Sequence, residues 1–466
     1  MVNQGQAPLA SLKLDWQLTT EQVFSHFADM PWAVLLDSAN ANHIDAHYDI
    51  ISFDPIATIV SHNQQVTITE NPFTDVKISH SNDDPFTVIN RCLQQYFPTA
   101  KQTDLPFSGG ALGAFSYDLG RSIEQWQHTA KQDIDLPELN LGLYTWALIF
   151  DYKEQQWLLV DYQGEQALEA RLAILNYLLM QAPWGNEPFK LTSDWQHQMS
   201  QAEYQQKFDQ IQQYLLAGDC YQINLTQRFS AGYQGDEWQA YLKLRASNQA
   251  PFSAFIRLDD AAILSISPER FISLNGDQIE TKPIKGTLPR SQESEQDLLL
   301  AQQLQQSEKD RAENVMIVDL LRNDIGKVAQ AGSVAVPKLF EIESFPAVHH
   351  LVSTITAKLA PQYQAADLLR AAFPGGSITG APKIRAMQII EELEPSRRSI
   401  YCGAIGYISQ DGKMDTNITI RTLIAIDDTL YCWAGGGIVA DSNCAAEYQE
   451  TYDKVSKILP ILAAEE

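Results

Sequence analysis

The feature that most limits how this chain can fold is a series of short apolar runs that never settles into strand–helix alternation. PWAVLLDS (31–38), YDIISF (48–53), QVTIT (65–69), ALGAFSYDL (111–119), YTWALIFDY (144–152) and QWLLVDY (156–162) combine β-branched and aromatic residues with polar interruptions. That composition favours strands. A polar stretch over 183–200 is the best candidate boundary, and AEYQQKFDQIQQYLLAGD after it has apolar residues at helical spacing, with Gly218 as a stop. Further helices are expected over Ser307–Arg322, Ala381–Leu393 and Ala445–Leu462, and strands over YCGAIGYI and LYCWAGGGIVA. A doubly wound parallel sheet needs regular βαβ units, so the expected class is α+β with antiparallel sheets.

Composition then narrows the function. At 466 residues and 45% hydrophobic the chain can bury a large core; length alone suggests about two to four domains. A net charge of -25 argues against a nucleic-acid or anionic-membrane partner, either of which requires a basic face. If the substrate is an anion, its site must be locally positive within a negative protein. The five cysteines (Cys92, Cys220, Cys402, Cys432, Cys444) form no CxxC pair, which fits reduced thiols better than a disulfide frame or a zinc site. The opening MVNQGQAPLASLKLDW lacks a basic segment followed by an apolar run, and no stretch approaches the ~18 apolar residues of a membrane helix. The expected location is the cytoplasm.

Several residues carry potential chemistry. Asp310 and Glu313 are three apart, as are Glu447 and Glu450. On helices, each pair lies on one face, and Lys454 extends the second. Two such helices can each offer carboxylates to a hard cation, with substrate completing the shell; a solvated acidic surface is the plainer reading. Gly435–Gly437 can form a main-chain nest for a carboxylate or a tight strand turn. PGGSITGAPK (374–383) resembles a phosphate loop but has Ala-Pro where Lys-Ser/Thr is required, which excludes ATP binding. Its glycines open a helix with Pro382 suited to the first turn, and that N-terminus can accept an anion. Lys285, between Ile284 and Gly286, is a candidate nucleophile if desolvation lowers its pKa. Glu269 in SISPERF is a candidate general acid or an ion-pair partner of Arg270. His349 and His350 can position substrate or pack beneath VSTIT, and Arg421, on an expected strand, needs an anionic partner, protein or ligand.

The order of these segments is more specific than any one of them. GDCYQINL, SPERF, KPIKGT, KDRAENVMIVDLLRNDIG, FPAVHHLVSTI, AAFPGGSITGAPK, YCGAIGY, TNITIRT, AGGGIVADS and EYQETYDK resemble, in sequence, the chorismate-utilising enzymes from about Ala202 to Leu462. That family includes anthranilate, isochorismate, salicylate and aminodeoxychorismate synthases. The first 190 residues resemble the N-terminal region of the anthranilate and aminodeoxychorismate members, so the resemblance implies regions 1–190 and 200–462 interleaved in one two-lobed fold. It also implies large antiparallel sheets packed as a sandwich with helices outside. Anthranilate synthases read PIAGT where this chain reads PIKGT, the pattern of bacterial aminodeoxychorismate synthases. Gln222 stands where the water-adding members carry lysine.

The resemblance implies that Glu313 and Glu450 hold Mg2+ against the ring carboxylate of chorismate, with Asp310 and Glu447 behind them or bridging through water. It further implies that Arg421, Tyr401 and the Gly435, Gly436 and Gly437 backbone grip the enolpyruvyl carboxylate. Lys454 supports the carboxylate end, while Thr287 and His350 line the pocket. Lys285 attacks C2 while Glu269 assists loss of the C4 hydroxyl, and ammonia then displaces Lys285. No cysteine sits in a glycine-rich elbow, so the ammonia is expected from a separate glutamine amidotransferase subunit. A tryptophan pocket of the family matches Ser38, Asp45, Ala46, His47, Tyr48, Pro251, Phe252 and Ser253, of which Asp45–His47 carry no independent signal for indole. The competing readings are an anthranilate synthase component I, disfavoured by Lys285, and a silent tryptophan-binding regulator. The joint presence of Glu269, Lys285, Glu313, Arg421 and Glu450 argues against the latter.

Overall fold

The computed structural model describes residues 9–41, 43–183, 187–344 and 348–463. Phe345–Ala347, which open the FPAVHHLVSTI motif, and 184–186 of the boundary stretch lie outside the described residues. The fold is α+β, with two large sheets of 13 and 12 strands among the described residues. The pairings that position the site are antiparallel. Strands from before residue 183 and after residue 200 pair directly in both sheets: Val34–Asp37 with Phe252–Arg257 in the first, Gly110–Phe115 with Ala404–Ser409 in the second.

The apolar runs look continuous because the first sheet is buried on both faces. Val34, Ile50, Ile149, Ala254 and Ile424 face a core shared with strands of the second sheet, including Ile59, Leu112, Ile272 and Ile405. Their neighbours Leu35, Ile51, Leu148, Phe255 and Leu423 face a second core, which is closed by Val23 and Phe24, Trp238 and Tyr241, and Leu168 and Leu175 from helices. The period of two thus sorts each strand between two cores rather than between core and water.

Local signals set most of the helix ends. Gln201–Ala217 begins at a Ser200–Glu203 capping box and stops at Gly218, which has φ 78°. Glu308–Gly326 starts at Ser307, whose hydroxyl accepts the Asp310 N–H at 3.3 Å, and runs further than the expected Arg322.

Four expectations need correction. Ala445–Leu462 is two helices, Cys444–Asp453 and Leu459–Ala463. Pro460 lacks an N–H for the Ser456 carbonyl, so one helix cannot run through. Tyr144–Tyr152 is not one strand: Leu139–Tyr144 belongs to the second sheet and Trp146–Asp151 to the first, the chain changing sheets at Thr145. Pro382 lies at the N-cap of Lys383–Leu393, in extended conformation, rather than in its first turn. The three glycines lie within the strand Thr429–Ile438 and form no turn.

Candidate active site

Lys285 and Thr287 lie on the strand Ile284–Pro289, which pairs with Val348–Lys358 so that Thr287 faces His350. The register slips between Ile284 and Thr287, and Gly286 adopts φ 83° in that irregularity. A Cβ on Gly286 would lie 2.9 Å from Asp310 Cγ, so glycine is required for both backbone angle and space. Thr287 Oγ1 and His350 Nδ1 are 2.7 Å apart. Lys285 Nζ donates to the Ser377 carbonyl at 3.0 Å. Burial lowers the pKa of this amine from its ordinary value, against the opposing pull of Glu313 and Glu269.

Glu269 is 7% exposed, and its Oε1 has no hydrogen-bond partner among the described residues. Burial pushes its carboxyl up to about 7, with the positive charges of Lys285 and Lys454 acting in the other direction. Arg270 does not pair with it; its guanidinium reaches Asp415 at 2.9 Å and Asp45 at 2.8 Å. Arg421 follows the strand Met414–Ile418 with φ 50°. Burial lowers its pKa, Glu269 opposing, and among the described residues no carboxylate lies within ion-pair distance of it. His350 is held down at about 4 by burial and by the Arg421 charge, so its ring is neutral at physiological pH. A half-buried guanidinium without a carboxylate at ion-pair distance, beside a neutral histidine, is a seat for an anionic ligand.

The acidic pairs converge from two helices. Burial raises the Glu313 pKa, and the negative charges of Asp310 and Glu447 add to this while Lys285 and Lys309 oppose it. Glu447 Oε1 accepts from Ser442 Oγ at 2.7 Å, whereas its buried Oε2 has no partner among the described residues. A Cβ on Gly436 would lie 3.0 Å from Glu450 Oε1 and 3.1 Å from Glu447 Oε2, so the glycine strand makes room for these carboxylates. Lys454 Nζ contacts Glu450 Oε1 at 2.6 Å and the Gly435 carbonyl at 2.6 Å. No group of three or more His, Cys, Asp or Glu among the described residues is gathered closely enough to hold a metal unaided. The donor set still fits a hard cation that takes other ligands from substrate and water: all are oxygens, one is orphaned, and two have pKa values raised by burial and like charge.

Gln222 is fully buried; its Nε2 donates to Asn224 Oδ1 at 3.4 Å and its Oε1 has no partner among the described residues. Nε2 lies 1.9 Å from where a Cβ on Gly437 would sit. Tyr401 stacks on Trp433 with centroids 6.0 Å apart, and burial raises the pKa of its hydroxyl. Two participants were not identified from sequence, the Ser377 carbonyl and Lys309. PGGSITGAPK drew attention as a helix N-terminus for an anion, but it is a main-chain oxygen of this loop that meets Lys285, and main-chain acceptors have no residue signature.

A separate, partly open cavity is lined by Ser38, Asp45, Tyr48, Pro251, Phe252 and Ser253, together with Asp415 and Asn417. Ala46 and His47 are not among its lining residues. The His47 ring instead stacks on Tyr48 at 3.9 Å, with Nε2 3.1 Å from Asp151 Oδ1.

The sequence matches the family described as chorismate binding enzyme over residues 33–460. It is 55% identical to an aminodeoxychorismate synthase component 1 of Klebsiella aerogenes, over 97% of this chain and 98% of that protein. It is 54% identical to the protein of the same name from Salmonella typhimurium, over 96% and 97%. The structure superposes on anthranilate synthase component I from Streptococcus pneumoniae with a TM-score of 0.79 and 32% identity, covering 90% and 93% of the two chains.

Proposed function

The chain belongs to the chorismate binding enzymes, and we propose that it aminates chorismate at C4 to give 4-amino-4-deoxychorismate, as one component of a two-component synthase. The observation that carries this reading is the Lys285 amine, its pKa lowered by burial, in electrostatic contact with a Glu269 carboxyl poised near neutrality. Each group is thus shifted toward the state its role needs, the amine toward the free base and the carboxyl toward the acid.

In this reading Arg421 and Tyr401 hold the enolpyruvyl carboxylate, together with the Gly435–Gly437 backbone, and Lys454 adds positive charge at that end. His350 and Thr287 bound the ring. Lys285 Nζ forms a bond to C2 as both conjugated ring double bonds shift, C1=C2 to C1=C6 and C5=C6 to C4=C5, and the C4–oxygen bond breaks. Glu269 gives its proton to the departing hydroxyl, so water leaves and lysine loses one proton. Ammonia then bonds at C4, both ring double bonds shift back, and Lys285 departs as an amine, taking up one proton as the new C4 nitrogen loses one. The enolpyruvyl group is retained, and removing it is left to a separate lyase. Glu313 and Glu450, backed by Asp310 and Glu447, are the residues that would hold Mg2+, which when bound supplies positive charge for the ring carboxylate. Gly436→Ala, whose Cβ would crowd Glu450 and Glu447, is expected to raise the Mg2+ concentration for half-maximal rate more than the chorismate KM.

Ammonia comes from a separate glutamine amidotransferase subunit, and the reaction is cytoplasmic, in keeping with five unpaired cysteines. No helix among the described residues is long and apolar enough to cross a membrane. The second cavity is the candidate tryptophan pocket, with Ile50, Phe252 and Ile405 for an indole, while its carboxylates Asp45 and Asp415 pair with Arg270. The test of the activity is incubation with chorismate, Mg2+ and ammonium. The expected result is a product that becomes p-aminobenzoate only after an aminodeoxychorismate lyase is added; fluorescent anthranilate without the lyase would refute it.

A further inference from the structure

The loop 374–378 is tethered on both sides of the carbonyl that receives Lys285. Ser377 O accepts from Lys285 Nζ at 3.0 Å and from Asn224 Nδ2 at 3.4 Å. On one side, Lys383 Nζ donates to Pro374 O at 3.2 Å, Ala372 O at 3.0 Å and Asp324 Oδ2 at 2.6 Å. On the other, Arg398 donates to Ile378 O at 2.9 Å while Glu394 accepts from its guanidinium at 2.9 and 2.7 Å. The side chains of Lys383 and Asp324 are 10% and 1% exposed. Withdrawing such a pair from water is costly, and apolar residues of similar volume often stabilise a fold as well. What an apolar pair cannot do is fix three acceptors around one cation.

Asp324 lies near the C-terminal end of the Glu308–Gly326 helix, whose N-terminal half carries Asp310 and Glu313. The same helix presses Leu320 on the loop, where a Cβ on Gly376 would come within 2.4 Å of Leu320 Cδ2. Helix and loop therefore have one close-packed register, and the ion pair locks it.

We infer that Lys383 and Asp324 are positioning residues for the nucleophile, holding the loop so that the Ser377 carbonyl meets Lys285 Nζ. This rests on Lys285 being the attacking group, as proposed above. With the tether released, the carbonyl shifts and the amine takes up other orientations, while the groups assigned to chorismate binding stay in place. Misplacing a reacting group by about 1 Å costs up to roughly a hundredfold in rate.

The test is quenched single-turnover reaction of the full chain with chorismate and Mg2+, following the Lys285 peptide by mass spectrometry, with steady-state kcat and KM alongside. Lys383→Met is expected to slow adduct formation and kcat about ten- to a hundredfold with chorismate KM nearly unchanged. The double variant Asp324→Asn/Lys383→Gln retains up to two neutral hydrogen bonds without an orphaned charge and should recover part of the rate lost in Lys383→Met. Lys327→Met, which removes an exposed lysine from the other oxygen of Asp324, should behave as wild type. A folded Lys383→Met enzyme with wild-type adduct rate overturns the inference, as does a double variant no faster than Lys383→Met. If Lys383→Met does not fold, Lys383→Gln takes its place in the comparison. Absence of an adduct in wild type overturns the nucleophile assignment and this inference with it, whereas unaffected variants overturn the inference alone.

Discussion

Lys285→Ala is expected to lower the rate of chorismate amination on the order of 10^3-fold or more while leaving chorismate KM within a few-fold of wild type, since a covalent nucleophile has no substitute in the site. The two quantities separate because different residues set them. Arg421, with no carboxylate within ion-pair distance among the described residues, and the strand Thr429–Ile438 remain intact in the variant. Lysine is a poor nucleophile when charged, and burial lowers the pKa of this one even with Glu313 and Glu269 nearby. Lys285→Arg is expected to be as inactive as alanine, because a guanidinium does not lose its proton in the working pH range. If alanine keeps near-wild-type turnover, Lys285 orients substrate and does not attack it. Steady-state rates with ammonium as the nitrogen source, at saturating chorismate, decide between the two.

Glu269→Gln is expected to cost about 10^2- to 10^4-fold in kcat, the range of a lost general acid. Glutamine preserves volume and has no proton to give a departing hydroxyl. The wild-type pH profile carries the same information. With its carboxyl at about 7, Glu269 is protonated below that pH and becomes carboxylate above it, so kcat should fall as pH rises through this region. Lys285 acts in the opposite direction, because its free-amine fraction grows with pH, and the result is a bell-shaped profile. The two groups interact, so the limbs belong to the pair rather than to either residue. In Glu269→Gln the falling limb should vanish while the rising limb stays. Persistence of both limbs in the glutamine variant would assign the acid to another group.

The sequence made some of this legible and concealed the rest for identifiable reasons. Spacing of three put Asp310 with Glu313 and Glu447 with Glu450 on helices, and both helices formed, because side-chain direction follows helical geometry. Convergence of the two pairs was not readable from spacing, since it depends on how the helices Cys444–Asp453 and Glu308–Gly326 sit in three dimensions. Gly435–Gly437 read more readily as a tight strand turn than as a nest; the strand uses Gly436 and Gly437 for room beside Glu450 and Gln222. Thr145 shows the limit for strands: a chain that passes between two buried sheets keeps its apolar pattern, and nothing in YTWALIFDY marks the change. Pro460 did mark the break in Ala445–Leu462 by ordinary proline chemistry. His47 illustrates the weakness of carrying residues over by motif alone, for its ring stacks on Tyr48 and does not line the cavity. The apparent conflict between a net charge of -25 and an anionic substrate dissolves locally, where Lys285, Lys309 and Lys454 act on the acidic pairs and Arg421 on Glu269.

The most direct test of the central claim is the mass of the Lys285 peptide after wild-type enzyme, chorismate and Mg2+ are mixed without ammonia and quenched within a turnover. The account predicts an adduct of chorismate less one water on Lys285 that disappears when ammonium is added before the quench. An unmodified Lys285 peptide throughout, in enzyme that goes on to aminate chorismate normally, would contradict it.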